Sequence, residues 1–132
     1  MKKILVLLLL MVFSTSLFAE WTRVGSSDDG EQTTYIDLET IKRKGNKVKI
    51  WSLFDYKTVR KLEHDRYLSR VIHQEYDCEE ETLRILDVYW YSGNMQRNGK
   101  VVSSNTNIKD EAISIIPASV NEHLFKLACG KK

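Results

Sequence analysis

Three histidines (His64, His73 and His123), two cysteines (Cys78 and Cys129) and an acidic run (Asp77 with Glu79-Glu80-Glu81) are the residues of this chain whose types could support chemistry. The histidines are isolated in sequence and lack metal-ligand spacing, so they read as exposed or hydrogen-bonded imidazoles rather than a zinc site. Ser69 and His73 lie four residues apart. On a strand that spacing shares a face but leaves a wide gap, and no nucleophile elbow surrounds the serine. The acidic run lacks the glycine and ligand spacing of a calcium loop and reads as a solvated turn. The chain therefore reads as a non-enzyme, with no catalytic residue, metal or cofactor expected.

Binding chemistry has more behind it. Lys42, Arg43, Lys44, Lys47 and Lys49 surround the turn pair Gly45-Asn46. Such a cluster suits an anionic polysaccharide, lipid headgroups or an acidic protein segment, against the plainer reading of a solvated face. Phe54, Tyr56, Tyr89 and Tyr91 would add an aromatic contact surface if exposed, with packing inside the fold as the competing explanation.

The compartment follows from the N-terminus. Met1-Lys2-Lys3, an apolar run from Ile4 to Phe13 and small residues up to Ala19 make residues 1–19 a secretory signal peptide, leaving 20–132 as one domain. The apolar run is short of the roughly 20 residues that span a bilayer, so stable membrane insertion is not expected. The chain has 20 Lys+Arg and 18 Asp+Glu. Removing Lys2 and Lys3 equalises the two, so the apparent basicity belongs to the signal and nucleic acid is not an expected partner. In an oxidising compartment the two cysteines point to one disulfide, with two buried thiols as the alternative.

The positioning elements are mainly strands. Val48–Tyr56, Ser69–Cys78 and Leu83–Tyr91 are rich in β-branched and aromatic residues, the last two joined by the acidic turn. Shorter strands are expected at Trp21–Val24, Thr33–Asp37 and, beyond the tight-turn pair Asn98-Gly99, at Lys100–Ser103. Lys42–Lys47 reads as a turn, Lys57–Asp65 as a mobile loop and Asn105–Glu111 as a polar loop. Ser119 and Glu122 have capping-box spacing for a helix ending at Cys129, with Val120, Leu124 and Leu127 or Ala128 on one face. Strict alternation puts Leu86, Val88 and Trp90 on one face of their strand and Leu83, Ile85, Tyr89 and Tyr91 on the other. One short helix covers one face, so the second row is a candidate homodimer surface, with sheet coiling or a ligand as the other ways to cover it.

Taken in order, the landmarks are Trp21, Tyr35-Ile36-Asp37, Trp51 with Asp55-Tyr56, Ser69, Glu75-Tyr76-Asp77-Cys78, Arg84, Tyr91, Met95, Gly99-Lys100-Val101-Val102, Pro117-Ala118-Ser119 and Cys129. This pattern resembles the surface-adhesin protein E family. The resemblance implies an α+β fold: an antiparallel sheet of about six strands with a C-terminal helix packed on one face. It also implies a Cys78–Cys129 disulfide, dimerisation through the sheet, and binding of host extracellular-matrix or serum proteins. The expected function is thus an exported, adhesin-like binding protein at the cell surface or in the periplasm, taking a host protein or polyanion. The alternative is a soluble periplasmic protein of envelope maintenance without host contact. No lipid-anchor cysteine follows the signal, and Ile113 or Ile115 stands where a tryptophan is expected before Pro117.

Overall fold

The computed structural model describes residues 20–96 and 100–130. The expected signal peptide, residues 1–19, and the tight turn expected at Asn98-Gly99 lie outside the described residues. Among the described residues eight strands form one antiparallel sheet: β1 (Thr22–Ser26), β2 (Gln32–Ile36), β3 (Lys42–Lys44), β4 (Lys47–Leu62), β5 (Asp65–Asp77), β6 (Thr82–Tyr91), β7 (Val101–Asn105) and β8 (Ile113–Ser114). The order is β1-β2-β4-β5-β6-β7, with β3 paired to β4 and β8 to β6. A six-strand path and the C-terminal helix α1 (Val120–Cys129) match the expected α+β class, and the two short strands enlarge it.

Alternation explains the core. Val48, Ile50, Phe54 and Tyr56 of β4, Ile72 and Tyr76 of β5, and Ile36 of β2 point to the face under α1 and meet Leu124, Phe125 and Ala128. Leu127, the other residue considered for that helical face, is exposed. Ser119 Oγ accepts from Glu122 N at 3.2 Å, and Gly130 ends the helix in the left-handed region with φ 69°. Polar groups in the core are paired in a chain from sheet to helix. Ser52 Oγ donates to Gln74 Oε1 at 2.8 Å, Gln74 Nε2 to Tyr76 Oη at 2.6 Å, and Tyr76 Oη to Asn121 Oδ1 at 3.3 Å. Burial pushes the Tyr76 hydroxyl pKa well above the usual tyrosine value. Cys78 and Cys129 are bonded, with Cα atoms 5.7 Å apart, which fixes the end of α1 to the end of β5.

Three expectations are corrected. Residues 57–65 are not a loop: β4 runs to Leu62, turns at Glu63-His64 and returns as β5 from Asp65. This arm pairs Arg60 with Tyr67 and Leu62 with Asp65 beyond the ends of β2 and β6, so neither face acquires the buried positions that make a strand legible. Lys42–Lys47 is a turn only at Gly45-Asn46, where Gly45 has φ 61°, and β3 pairs back on β4.

The third correction is a β-bulge. His73 opposes Asp87 while Gln74 opposes Ile85, so Leu86 is an extra residue in β6. One extra residue reverses the facing of everything beyond it. Leu83 and Ile85 before the bulge, and Val88 and Trp90 after it, all belong to the helix-side core. The row Leu83, Ile85, Tyr89 and Tyr91 is therefore not one surface: Leu83 is 3% exposed beneath α1, and only Tyr89 and Tyr91 reach the second face.

Candidate functional site

The helix-free face of the sheet gathers the side chains that remain available for binding. Register sets its membership. On β4 the alternate residues Lys47, Lys49, Trp51, Leu53 and Asp55 point there, opposite Asp77, Glu75, His73, Val71 and Ser69 of β5. Lys42 pairs with Lys49 and Lys44 with Lys47, which brings four of the five predicted basic residues onto this face, while Arg43, opposite the buried Val48, lies on the helix side. All five are exposed. Like charges directly opposite each other on neighbouring strands oppose folding, and an anionic partner relieves that repulsion. Lys47 has Glu75 Oε1 at 4.0 Å as partial compensation.

Aromatic rings continue the face from the lysines. Trp51 stacks on His73 with centroids 4.3 Å apart and planes 7° apart, and Tyr89 lies 6.3 Å from Trp51. Leu53 and Val71 beneath them are buried, so part of this face is covered by the chain itself. A short 3-10 turn, Asn94–Gln96, closes its far end: Asn94 Nδ2 and Met95 N donate to Asp55 Oδ1, and Gln96 N donates to Ser69 Oγ. Ser69 Oγ in turn donates to Gly93 O at 2.6 Å. Fully buried and so engaged, it is in no position to act as a nucleophile for His73.

His73 has a partner of its own. Its Nδ1–H donates to Asp87 Oδ2 at 3.0 Å, while Asp87 Oδ1 accepts the Asn107 amide, also at 3.0 Å. Burial works to raise the Asp87 pKa, but the Asn107 amide, the hydrogen bond and charge of His73 and the nearby Lys49 outweigh it and hold the carboxyl below its ordinary value. Asp87 thus ties the 106–112 connection to the sheet. Beside it, Arg84 Nη2 donates to Glu75 Oε1 at 3.2 Å. Arg84, Asp87 and Lys109 were not legible as site residues: Arg84 stood only as a landmark of the family pattern, and Lys109 comes from a separate segment that folding brings beside Arg84 and Asp87.

Among the described residues no group of three or more His, Cys, Asp or Glu side chains is placed to hold a metal ion, and no helix is long and apolar enough to cross a membrane. Over residues 21–130 the sequence matches the family described as Surface-adhesin protein E. Two structures of Haemophilus influenzae protein E, one of them crystal form II, share the fold with a TM-score of 0.60 at 11% identity. They cover 88% of this chain and 94% and 91% of their own. No curated protein matches the sequence.

Proposed function

Because this chain belongs to the surface-adhesin protein E family, and is thereby an adhesin-like surface protein, we propose that it is a non-enzymatic binding protein whose helix-free sheet face takes polyanions or acidic protein surfaces, host matrix or serum proteins among them. Export by the 1–19 signal segment carries it across the inner membrane, to the periplasm or the cell surface. The observation that carries the reading is the register of the β3–β4 hairpin, which presents Lys42, Lys44, Lys47 and Lys49 on the same face as Trp51. Long cationic side chains next to a partly exposed aromatic patch suit a ligand with spaced anionic groups and some apolar surface. All four lysines are exposed, so their contribution to folding is small and their charge remains available for association.

Replacing Lys42, Lys44 and Lys47 by glutamine tests this on a heparin column. The triple variant is expected to elute at lower salt than the parent while unfolding at nearly the same temperature. Equal retention of the two proteins refutes the role of the hairpin.

A further inference from the structure

At the opposite end of the helix-free face from the Asn94–Gln96 turn, the β7–β8 connection folds back over the sheet. Asn107 N is held by Asp87 as described, and Ile108 N donates to the Leu86 carbonyl at 2.9 Å. Between this connection and the strands lies an open groove of about 580 Å³, lined by Lys49, His73, Arg84, Leu86, Ile108 and Lys109 together with Asp87 and Asn107. The bulge at Leu86 creates part of it, by turning a leucine that strict alternation would bury out to this face.

The lining has a definite chemical character. Lys49, Arg84 and Lys109 supply three cations, and the one carboxylate, Asp87, has each oxygen already engaged by His73 or Asn107. Lys49 and Lys109 have no ion-pair partner within 4.0 Å among the described residues. Arg84 gives Glu75 one hydrogen bond, and its buried Nε has no acceptor. Leu86 and Ile108 add an apolar strip that a bare inorganic anion would not use. An adjoining groove shares Arg84 and Lys109 and adds Lys47, but Glu75, Asp77, Asp110 and Glu111 outnumber these cations, so an anionic chain entering over Lys49 meets net negative charge further along.

We propose that this groove binds a carboxylate-bearing sugar as the terminal unit of an anionic glycan. Its carboxylate lies among Lys49, Arg84 and Lys109, the apolar side of its ring rests on Leu86 and Ile108, and its hydroxyls face Asn107 and Asp87. The inference rests on the polyanion reading for the class of ligand, but it places recognition in the groove rather than on the hairpin.

The test is a titration of the ¹⁵N-labelled protein with sodium glucuronate or N-acetylneuraminate, with glucose and sodium acetate as controls. Saturable shifts of the Asn107, Ile108 and Lys109 amides are expected with at least one acidic sugar and with neither control. Replacing the exposed Lys109 by glutamine should raise the apparent Kd by about fivefold, the effect of losing about 1 kcal/mol of charge-assisted contact. Arg84→Gln should act in the same direction. Equal shifts with acetate mean a general carboxylate site and overturn the sugar assignment. Absence of shifts with both acidic sugars overturns the groove, and if heparin retention persists the hairpin reading stands without it. Sugar binding in a protein that heparin does not retain supports the groove and removes the hairpin.

Discussion

The Leu86 bulge can be tested by exchanging the roles of two leucines in the same strand. Regular alternation buries Leu86 and turns Leu83 outward, whereas the structure buries Leu83 at 3% exposure in the cluster with Tyr76, Cys78 and Phe125 and leaves Leu86 lining an open groove. Leu83→Ala therefore removes three buried carbons and leaves a cavity walled by the disulfide and α1, where little can collapse inward. At about 0.8 kcal/mol for each carbon, the transfer contribution is about 2.4 kcal/mol, and the cavity brings the expected loss to about 3 to 4 kcal/mol. Leu86→Ala enlarges a space already open to solvent and should cost less than about 1 kcal/mol. Urea unfolding followed by tryptophan fluorescence measures both, with equal slopes licensing the comparison. A cost for Leu86→Ala equal to or greater than that for Leu83→Ala would refute the bulge and restore the simple two-faced strand.

Replacing Cys78 and Cys129 together by alanine opens a link between residues 51 positions apart. The expected loss is about 4 kcal/mol in urea unfolding on the chain-entropy account. Alkylation and mass measurement without reductant should find no free thiol in the parent. For the helix-free face, sedimentation over a range of concentrations tests the homodimer expected from the sequence, of whose row only Tyr89 and Tyr91 remain on that face, and Tyr89→Glu should shift a dimer towards monomer. A parent monomeric throughout, with Tyr89→Glu unfolding, means that the face is internal. The lowered pKa of Asp87 has a definite sign: its stabilising contribution is present above the unfolded value of about 4 and disappears as pH falls through the lower folded value. The Asn107 amide resonance should follow that titration, and a midpoint above about 4 would contradict the hydrogen-bonded arrangement.

Much was determined by the sequence alone, wherever the signal was local. Ser119 and Glu122 specify the start of α1, Gly45-Asn46 specifies a tight turn, and the alternation of Val48, Ile50, Phe54 and Tyr56 specifies which side of β4 is buried. The ordered landmarks from Trp21 to Cys129 were enough to indicate the family, and with it the sheet, the helix and the Cys78–Cys129 bond. Tertiary structure decided what depends on pairing partners. The arm between Lys57 and Asp65 is an extended strand pair tied at its base to Glu31, with no buried face to leave a periodic imprint. The inserted Leu86 is visible only against β5, where two residues of one strand meet one of the other, yet it determines whether Leu83 faces helix or solvent. The groove likewise exists only after folding. Lys49, Arg84 and Lys109 stand far apart in sequence, and strand register together with two hydrogen bonds from amides of the 106–112 connection, one to the Asp87 carboxylate and one to the Leu86 carbonyl, brings their charges to one place.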